Sequence, residues 1–497
     1  MSTPAESLEA RFEALRRPVG FVLAPAAAFA VWLAPLPGLD TPAHKMAALM
    51  TLAVVLWVSE AIPMAATSLL VPALCIVFGV GPAGAVLAPF ASSITFLFIG
   101  TFMLGLGMQK HGLDRRIALH LLCLPGVARS PVTIFMALGA LTAGLSMWMS
   151  NSGTTAVMLP IALGVLRSCP ELGENLRLRE NLVLLVAFAA SMGGLATPVG
   201  TPPNLIALAA LREHAGIELS FVQWMQLALP LTIALVLFLF WLLRPGDGAR
   251  LVDPAALRAE FGRQLAALGP RTRGETYIAV ALGTAIFLWV WPGLMELAGR
   301  GQGWGAGWIR AHFPEDIIGL LIGLVLLVLP TDFRKWEMTL EWHEAVKIDW
   351  GTVLLFAGGL SLGGQLFQTG LARELGGAVG AALGTPSLWT LVAVAIGLSI
   401  ALSEAASNTA SANIMVPMMI AVALAQGLNP IPVALATTLA CSFGFLLPVS
   451  TGPNAQAYAT KHVRILTMMR KGIWLDVLGA VTVWLIVRFL APLYGWT

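Results

Sequence analysis

Apolar positions along this chain run together for about twenty residues at a time, with short polar stretches between the runs. A helix of that length spans the roughly 30 Å hydrocarbon layer of a membrane. The runs fall at 18–35, 46–61, 64–80, 92–109, 181–211, 222–243, 276–298, 316–330, 349–368, 431–460 and 473–493. They predict eleven crossings in an all-α polytopic membrane protein. Two further apolar stretches, 128–166 and 386–426, carry uncharged polar clusters at their midpoints. Hydroxyls and amides at that depth are costly unless they find partners.

The two clusters are copies. "SMWMSNSGTTAVMLP" (146–160) and "SEAASNTASANIMVP" (403–417) both read Ser-x3-Ser-Asn-x8-Pro. Each is followed by a second matching pair, "ASMGGLATPVGTPPN" (190–204) and "CSFGFLLPVSTGPN" (441–454). Five predicted crossings separate the clusters, and an odd number turns the second copy upside down. Inverted-topology repeats belong to secondary transporters, with the substrate site where the repeats meet. The proline runs break their helices. Freed carbonyls suit a bare monovalent cation, and freed amides at a new helix N-terminus suit an anion. The midpoints are therefore read as the tips of two re-entrant hairpins, converging with two split helices on a cation and an anion together. With no Arg or Lys in any of the four segments, anion binding depends on the cation, which is the basis of symport.

Composition agrees. Of 497 residues, 58% are hydrophobic and 11% charged, against about 25% charged in soluble domains. With the N-terminus inside and the two clusters re-entrant, 23 of the 29 Lys and Arg fall on cytoplasmic segments. That orientation puts the C-terminus outside. The first twenty residues read as a short amphipathic cytoplasmic helix, and 244–275 as a basic cytoplasmic connector with a surface helix. The four scattered cysteines and seven histidines show no ligand spacing, so neither disulfides nor a metal cluster is expected. Without a P-loop or a nucleophile–base pair, ATP-driven transport and catalysis have no support, and nothing suggests a nucleic-acid partner. A channel is disfavoured because broken helices build an occluded site.

At these residues the sequence resembles the divalent anion/sodium symporter family, which contains bacterial sodium–dicarboxylate symporters and animal sodium–carboxylate carriers. Its paired Ser-Asn-Thr motifs stand as Ser150-Asn151-Ser152 and Ser407-Asn408-Thr409, and a further motif as Ser442, Phe445, Pro448, Ser450 and Asn454. "LGPRTRGE" and "IDWGTVLLFAGGLSLGGQLFQTGLA" also match the family's connector and ninth span. The resemblance implies a homodimer in the lipid of a bacterial inner membrane, working by an elevator motion. It divides the chain into 1–127 (scaffold spans one to four and a first arm helix near 112–126), 128–243 (transport repeat one), 244–275 (connector), 276–385 (scaffold spans seven to nine and a second arm near 370–384) and 386–497 (transport repeat two). It implies at least two sodium sites and no organic cofactor. One sodium site would use Ser146, Ser150, Asn151 and Gly200. The other would use Ser403, Ala406 through its carbonyl, Asn408 and Ser450. Substrate carboxylates would meet Asn151, Ser152, Asn408 and Thr409, with Thr201, Pro202, Thr451 and Gly452 lining the pocket. The substrate implied is a C4-dicarboxylate such as succinate, malate or fumarate, with citrate second and sulfate third. Proton coupling and dicarboxylate exchange are the alternatives, and an anion channel ranks last. Ser152 replaces the usual Thr and Gly452 a common Pro, two changes expected to make the pocket roomier.

Glu404 has two readings, a proton-coupling carboxylate or a structural acid bonding freed amides at a hairpin tip. The tryptophans (Trp57, Trp224, Trp241, Trp289, Trp291, Trp474, Trp484) read as interface anchors or packing, and Gly105, Gly107, Gly358, Gly359 and Gly363 as close helix contacts.

Overall fold

The computed structural model describes residues 4–36, 38–245, 254–301, 303, 305–384 and 386–496. Thr497 and part of the connector (246–253) lie outside them. The chain opens with α1 (Pro4–Leu33), α2 (Thr41–Ser59), α3 (Met64–Val77), the short α4 (Ala83–Leu87) and α5 (Ser93–His111). The leader and first span are thus one helix, a correction to the sequence reading. Pro18 removes one internal hydrogen bond without ending it.

Next come α6 (Leu113–Leu122), α7 (Pro131–Ser146), α8 (Asn151–Ser168), the short α9 (Pro170–Glu174), α10 (Leu176–Gly193), α11 (Pro202–Ala215) and α12 (Phe221–Leu243). The connector supplies α13 (Pro254–Ala267). It leads to α14 (Arg273–Leu297), α15 (Ala306–His312) and α16 (Glu315–Val328), then a small hairpin of β1 (Pro330–Asp332) and β2 (Glu337–Met338). After α17 (Trp342–Ala345) and α18 (Trp350–Gln368) come α19 (Leu371–Leu383), α20 (Leu388–Ala405), α21 (Asn408–Ala425), α22 (Pro430–Cys441), α23 (Gly452–Ala459) and α24 (Ile465–Leu493). Helices α6 and α19 occupy the positions expected of the arms.

Local chemistry sets the boundaries. Ser92, Ser130, Ser150, Ser220, Ser387 and Ser407 each accept a backbone N–H at a helix start. Among the described residues, eight helices are long and apolar enough to cross a membrane, or nine if the bent pair α15–α16 counts as one span. The shortfall from eleven expected crossings has a physical reason. Helix α3 has only 14 residues, and α10–α11 and α22–α23 are interrupted at their proline runs. Both arms of the second hairpin, α20 and α21, are themselves among the eight.

Helices α10 and α22 form the centre. Every residue from Leu182 to Ala190 and most of α22 is buried, as expected of helices apolar all round. Helix α10 packs on α7 and α8, and α22 on α20 and α21; α12 packs against α24. The second half of each split helix crosses to the other copy: α11 lies on α21 and α22, α23 on α8 and α10. Two nearly buried carboxylates tie distant elements. Glu180 on α10 pairs with Arg464 before α24 at 2.8 Å. Glu275 on α14 pairs with Arg116 of α6 at 2.8 Å, while Arg116 also donates to the carbonyls of Leu268 and Gly269.

Close helix contacts account for most of the singled-out glycines. A Cβ on Gly358 would fall 2.4 Å from the Ser68 carbonyl, and one on Gly359 2.0 Å from Asn413 Oδ1. Gly105 has no such neighbour and faces the cavity described next. Trp57, Trp224 and Trp289 are fully buried and so pack, whereas Trp241 and Trp474 are exposed.

Candidate functional site

Four helices begin at one cavity of about 500 Å³. Its wall holds Ser150–Gly153 at the start of α8, Thr201 and Pro202 at the start of α11, Ser407–Thr409 at the start of α21, and Thr451–Pro453 at the start of α23. Each start leaves backbone N–H groups without helical partners and presents the positive end of its dipole.

The tips repeat each other in detail. Ser146 donates to Asn151 Oδ1 at 2.8 Å, and Ser403 donates to Asn408 Oδ1 at 2.8 Å. Ser150 and Ser407 cap their helices through the N–H of Gly153 and Ala410, each at 3.2 Å. The helix breaks repeat as well. Asn204 Nδ2 donates to the carbonyls of Gly194 and Thr197 at 2.9 and 2.8 Å. Asn454 Nδ2 donates to those of Gly444 and Leu447 at 2.8 and 3.0 Å. The sequence offsets, ten and seven, are the same in both copies. Trp224 adds an indole N–H to the freed Leu195 carbonyl at 3.0 Å.

Oxygen atoms gather where each tip meets its break. A Cβ on Gly194 would lie 2.2 Å from Asn151 Oδ1 and 3.1 Å from the Gly200 carbonyl, so only glycine lets those oxygens approach. Gly444, the equivalent residue, would meet Asn408 Oδ1 and Ser450 Cβ, both at 3.1 Å. Hydroxyl, amide and carbonyl oxygens of this kind fit a hard monovalent cation. The copies differ in two bonds: the single Ser403 proton is shared between Asn408 Oδ1 and the Cys441 carbonyl, 2.6 Å away, and Asn408 Nδ2 donates to the Ser442 carbonyl at 3.1 Å.

All eight residues expected to meet substrate line the cavity: Asn151, Ser152, Thr201, Pro202, Asn408, Thr409, Thr451 and Gly452. Of the expected sodium ligands, Ser150, Asn151, Gly200, Asn408 and Ser450 also line it. Ser146 and Ser403, bonded to the two asparagines, and Ala406 are buried and do not line it. Contacts across the copies hold the wall together. Thr438 Oγ1 donates to the Pro203 carbonyl at 2.6 Å, and Gln456 Nε2 to the Ser152 carbonyl at 3.1 Å. The two departures from the family pattern meet here: a Cβ on Gly452 would fall 2.1 Å from Ser152 Oγ. The Ser152 hydroxyl occupies the space the glycine leaves. At this contact the pocket is not roomier, which corrects the expectation.

Glu404 proves to be bonded to freed amides. Its Oε1 accepts from the N–H of Phe445 and Leu446 at 2.7 and 3.0 Å, and its Oε2 from Ser450 Oγ at 3.0 Å. Sequence reasoning missed the far wall, made by α5 and the start of α18, including Thr101, Gln109, Lys347 and Asp349. Lys347 is exposed, and Asp349 is held by capping Thr352. Lys347 directly precedes the "IDWG" stretch, outside the four motif segments.

A family profile described as sodium:sulfate symporter transmembrane region matches residues 16–496. The sodium-dependent dicarboxylate transporter SdcS of Staphylococcus aureus (strain USA300) is 28% identical over 457 residues, covering 88% of this chain and 84% of that protein. The protein of the same name from Staphylococcus saprophyticus is 28% identical over 449 residues, with the same coverage. The crystal structure of the Alcanivorax borkumensis YdaH transporter, described as having an unusual topology, matches with a TM-score of 0.54 at 14% identity, over 92% of this chain and 99% of that one. That likeness speaks for the fold.

Proposed function

The chain belongs to the sodium:sulfate symporter family, integral membrane transporters and not enzymes, and from that premise we propose that it is a sodium-coupled symporter of a dianionic carboxylate. A C4-dicarboxylate such as succinate, malate or fumarate is the substrate. The observation that carries this reading is the single cavity into which four helix N-termini point. Their dipoles and free N–H groups hold two carboxylates. Sodium ions bind behind Asn151 and Asn408, with Ser146, Ser150 and Gly200 on one side and Ser403, Ala406 and Ser450 on the other. Each asparagine gives its oxygen to the cation side and an N–H to the anion, so the anion site is complete only when the cations are bound.

The motion is an elevator. Residues 128–243 and 386–497 form the moving domain, supported by the crossed packing of α11 and α23 and by the bonds Thr438–Pro203 and Gln456–Ser152. Residues 1–127 and 276–385 form the scaffold, 244–275 connects the halves, and α6 and α19 are the arms. In the eleven-span reading with two re-entrant hairpins and a cytoplasmic N-terminus, the cavity lies toward the cytoplasm, because the end of α5 and the start of α18 wall it. The carrier works as a homodimer in a bacterial inner membrane.

Uptake of labelled succinate into proteoliposomes tests the reading. Concentrative uptake is expected with an inward sodium gradient and not without one. Concentrative uptake driven by a pH gradient alone, with no sodium present, would overturn it.

A further inference from the structure

A second cavity, of about 690 Å³, lies beside the first. The end of α5, the start of α6, and parts of α8 and α13 wall it. Gln109 stands on both walls, its amide nitrogen 2.4 Å from where a Cβ on Gly153 would be. The two spaces therefore adjoin beside the first hairpin tip.

The wall of this groove is cationic. Lys110, Arg115 and Arg167 line it, with Asp114 as the one acid among the described lining residues. Lys110 is paired with Glu344 at 2.5 Å, and His111 is held by the Thr339 carbonyl at 2.7 Å. Arg115 and Arg167 are exposed, and their guanidinium groups make no ion pair or hydrogen bond among the described residues. Glu260 of α13 lies within the field of Arg167 but is already bonded to Arg263 and Gln264, at 2.5 and 2.9 Å. Asp114 offsets the arginines weakly. Its Oδ1 accepts the Arg115 backbone N–H at 2.6 Å, its Oδ2 has no donor, and burial pushes its carboxyl up, away from the charged form. Two unpaired guanidinium groups on one groove repel each other and attract an anion. The start of α6 adds to the attraction: its N-cap, Gly112 (φ 69°), has no side chain to accept the first N–H groups.

We propose that this groove is a phosphate-binding site, separate from the cargo cavity, in which Arg115 of α6 and Arg167 of α8 grip one phosphate group. A carboxylate is flat and meets one guanidinium edge to edge. A phosphate directs its oxygens tetrahedrally, so a single group takes a fork from each of two arginines. It comes as the free inorganic ion or as a phospholipid headgroup. Bound there, it ties α8 to α6 and steadies the hairpin whose tip carries Ser150 to Gly153. Under the transport reading alone, it would also slow the carrier from the cytoplasmic side, because α8 belongs to the moving domain and α6 is an arm.

Equilibrium dialysis of the purified protein against radiolabelled inorganic phosphate, in sodium-free potassium buffer, tests the site without any transport assay. Wild type should bind one phosphate per chain. Arg115→Gln and Arg167→Gln should each weaken binding about tenfold or more. Both side chains are exposed, so both variants should melt as wild type in phosphate-free buffer. Native mass spectrometry of the same samples assigns the source. A phospholipid retained by wild type and lost from both variants identifies the headgroup, and dialysis then uses delipidated protein; no retained lipid identifies the free ion. Loss of phosphate binding in Asn151→Asp would place the anion in the cargo cavity. Equal loss in Arg177→Gln, an exposed arginine outside the groove, would reduce it to general surface charge. Either result overturns the proposal, as does binding that survives both groove substitutions or is absent from delipidated protein. Failure of sodium-driven succinate uptake would instead count against the transport reading and leave phosphate binding as the measure of this site.

Discussion

Ser152 and Gly452, from opposite copies of the repeat, are in direct contact, with the serine Oγ 2.1 Å from where a glycine Cβ would stand. Gly452→Ala should therefore weaken succinate uptake, and Ser152→Ala should restore much of it by vacating the clash. The expected coupling between the two substitutions is about 0.5–3 kcal/mol, read as a double-mutant cycle on the KM for succinate. Additive effects would mean the contact is absent when substrate binds. Ser152→Thr adds a methyl at the same junction and should change the ratio of succinate to citrate uptake more than the sodium dependence.

Asn151→Asp and Asn408→Asp keep an oxygen but remove the N–H donors and add a negative charge facing the anion. Both should abolish dianion uptake, since each donor lost to a charged group costs roughly 1.5–3 kcal/mol. The copies should differ in stability. Asn408 Nδ2 also holds the Ser442 carbonyl at 3.1 Å, so its replacement sets two acceptors against each other and should lower the melting temperature. Asn151→Asp should melt close to wild type. Near-normal succinate uptake by either variant would place the anion elsewhere.

Lys347 is the cationic side chain on the cavity wall among the described residues. It directly precedes α18 and belongs to none of the four helix starts, so under the proposed elevator motion it meets the anion only while the cavity faces the cytoplasm. Lys347→Gln should raise the KM measured from the cytoplasmic face about three- to fivefold, the effect of an exposed charge worth up to roughly 1 kcal/mol. High salt should shrink the difference. The KM from the outer face should not move. Equal changes on both faces would show that Lys347 stays with the substrate throughout.

Arg116→Ala should strip the partner from nearly buried Glu275. Breaking such a pair on one side costs about 3–5 kcal/mol, visible as a lower melting temperature in detergent. Replacing both residues, as Arg116→Met with Glu275→Gln, should recover part of the loss. A single variant as stable as wild type would show that α6 is held by its apolar face alone.

Much of the site was legible because it was written twice. The Ser-Asn clusters and the Pro-Val runs are short, polar and duplicated, and their chemistry is local: a capping serine, a helix-breaking proline, an amide reaching back seven and ten residues. The far wall carried no such mark, because Lys347 and Gln109 matter only through the packing of α5 and α18 around the cavity. The pairing of Ser152 with Gly452 likewise reversed an expectation drawn from each residue alone. Hydropathy also hid the interruptions, since it averages across the breaks that give α10–α11 and α22–α23 their use.

The four helix starts around the cavity each contribute roughly half a positive elementary charge, together about the charge needed to neutralise a dianion. That charge resides in peptide groups, so no acid, base or single substitution can remove it. Side chains such as Ser152, Thr409 and Lys347 remain free to vary, and with them the shape of anion accepted. If the cargo is the proposed dianion, its valence is matched by the backbone, and changing it would require a different way of ending helices inside a membrane.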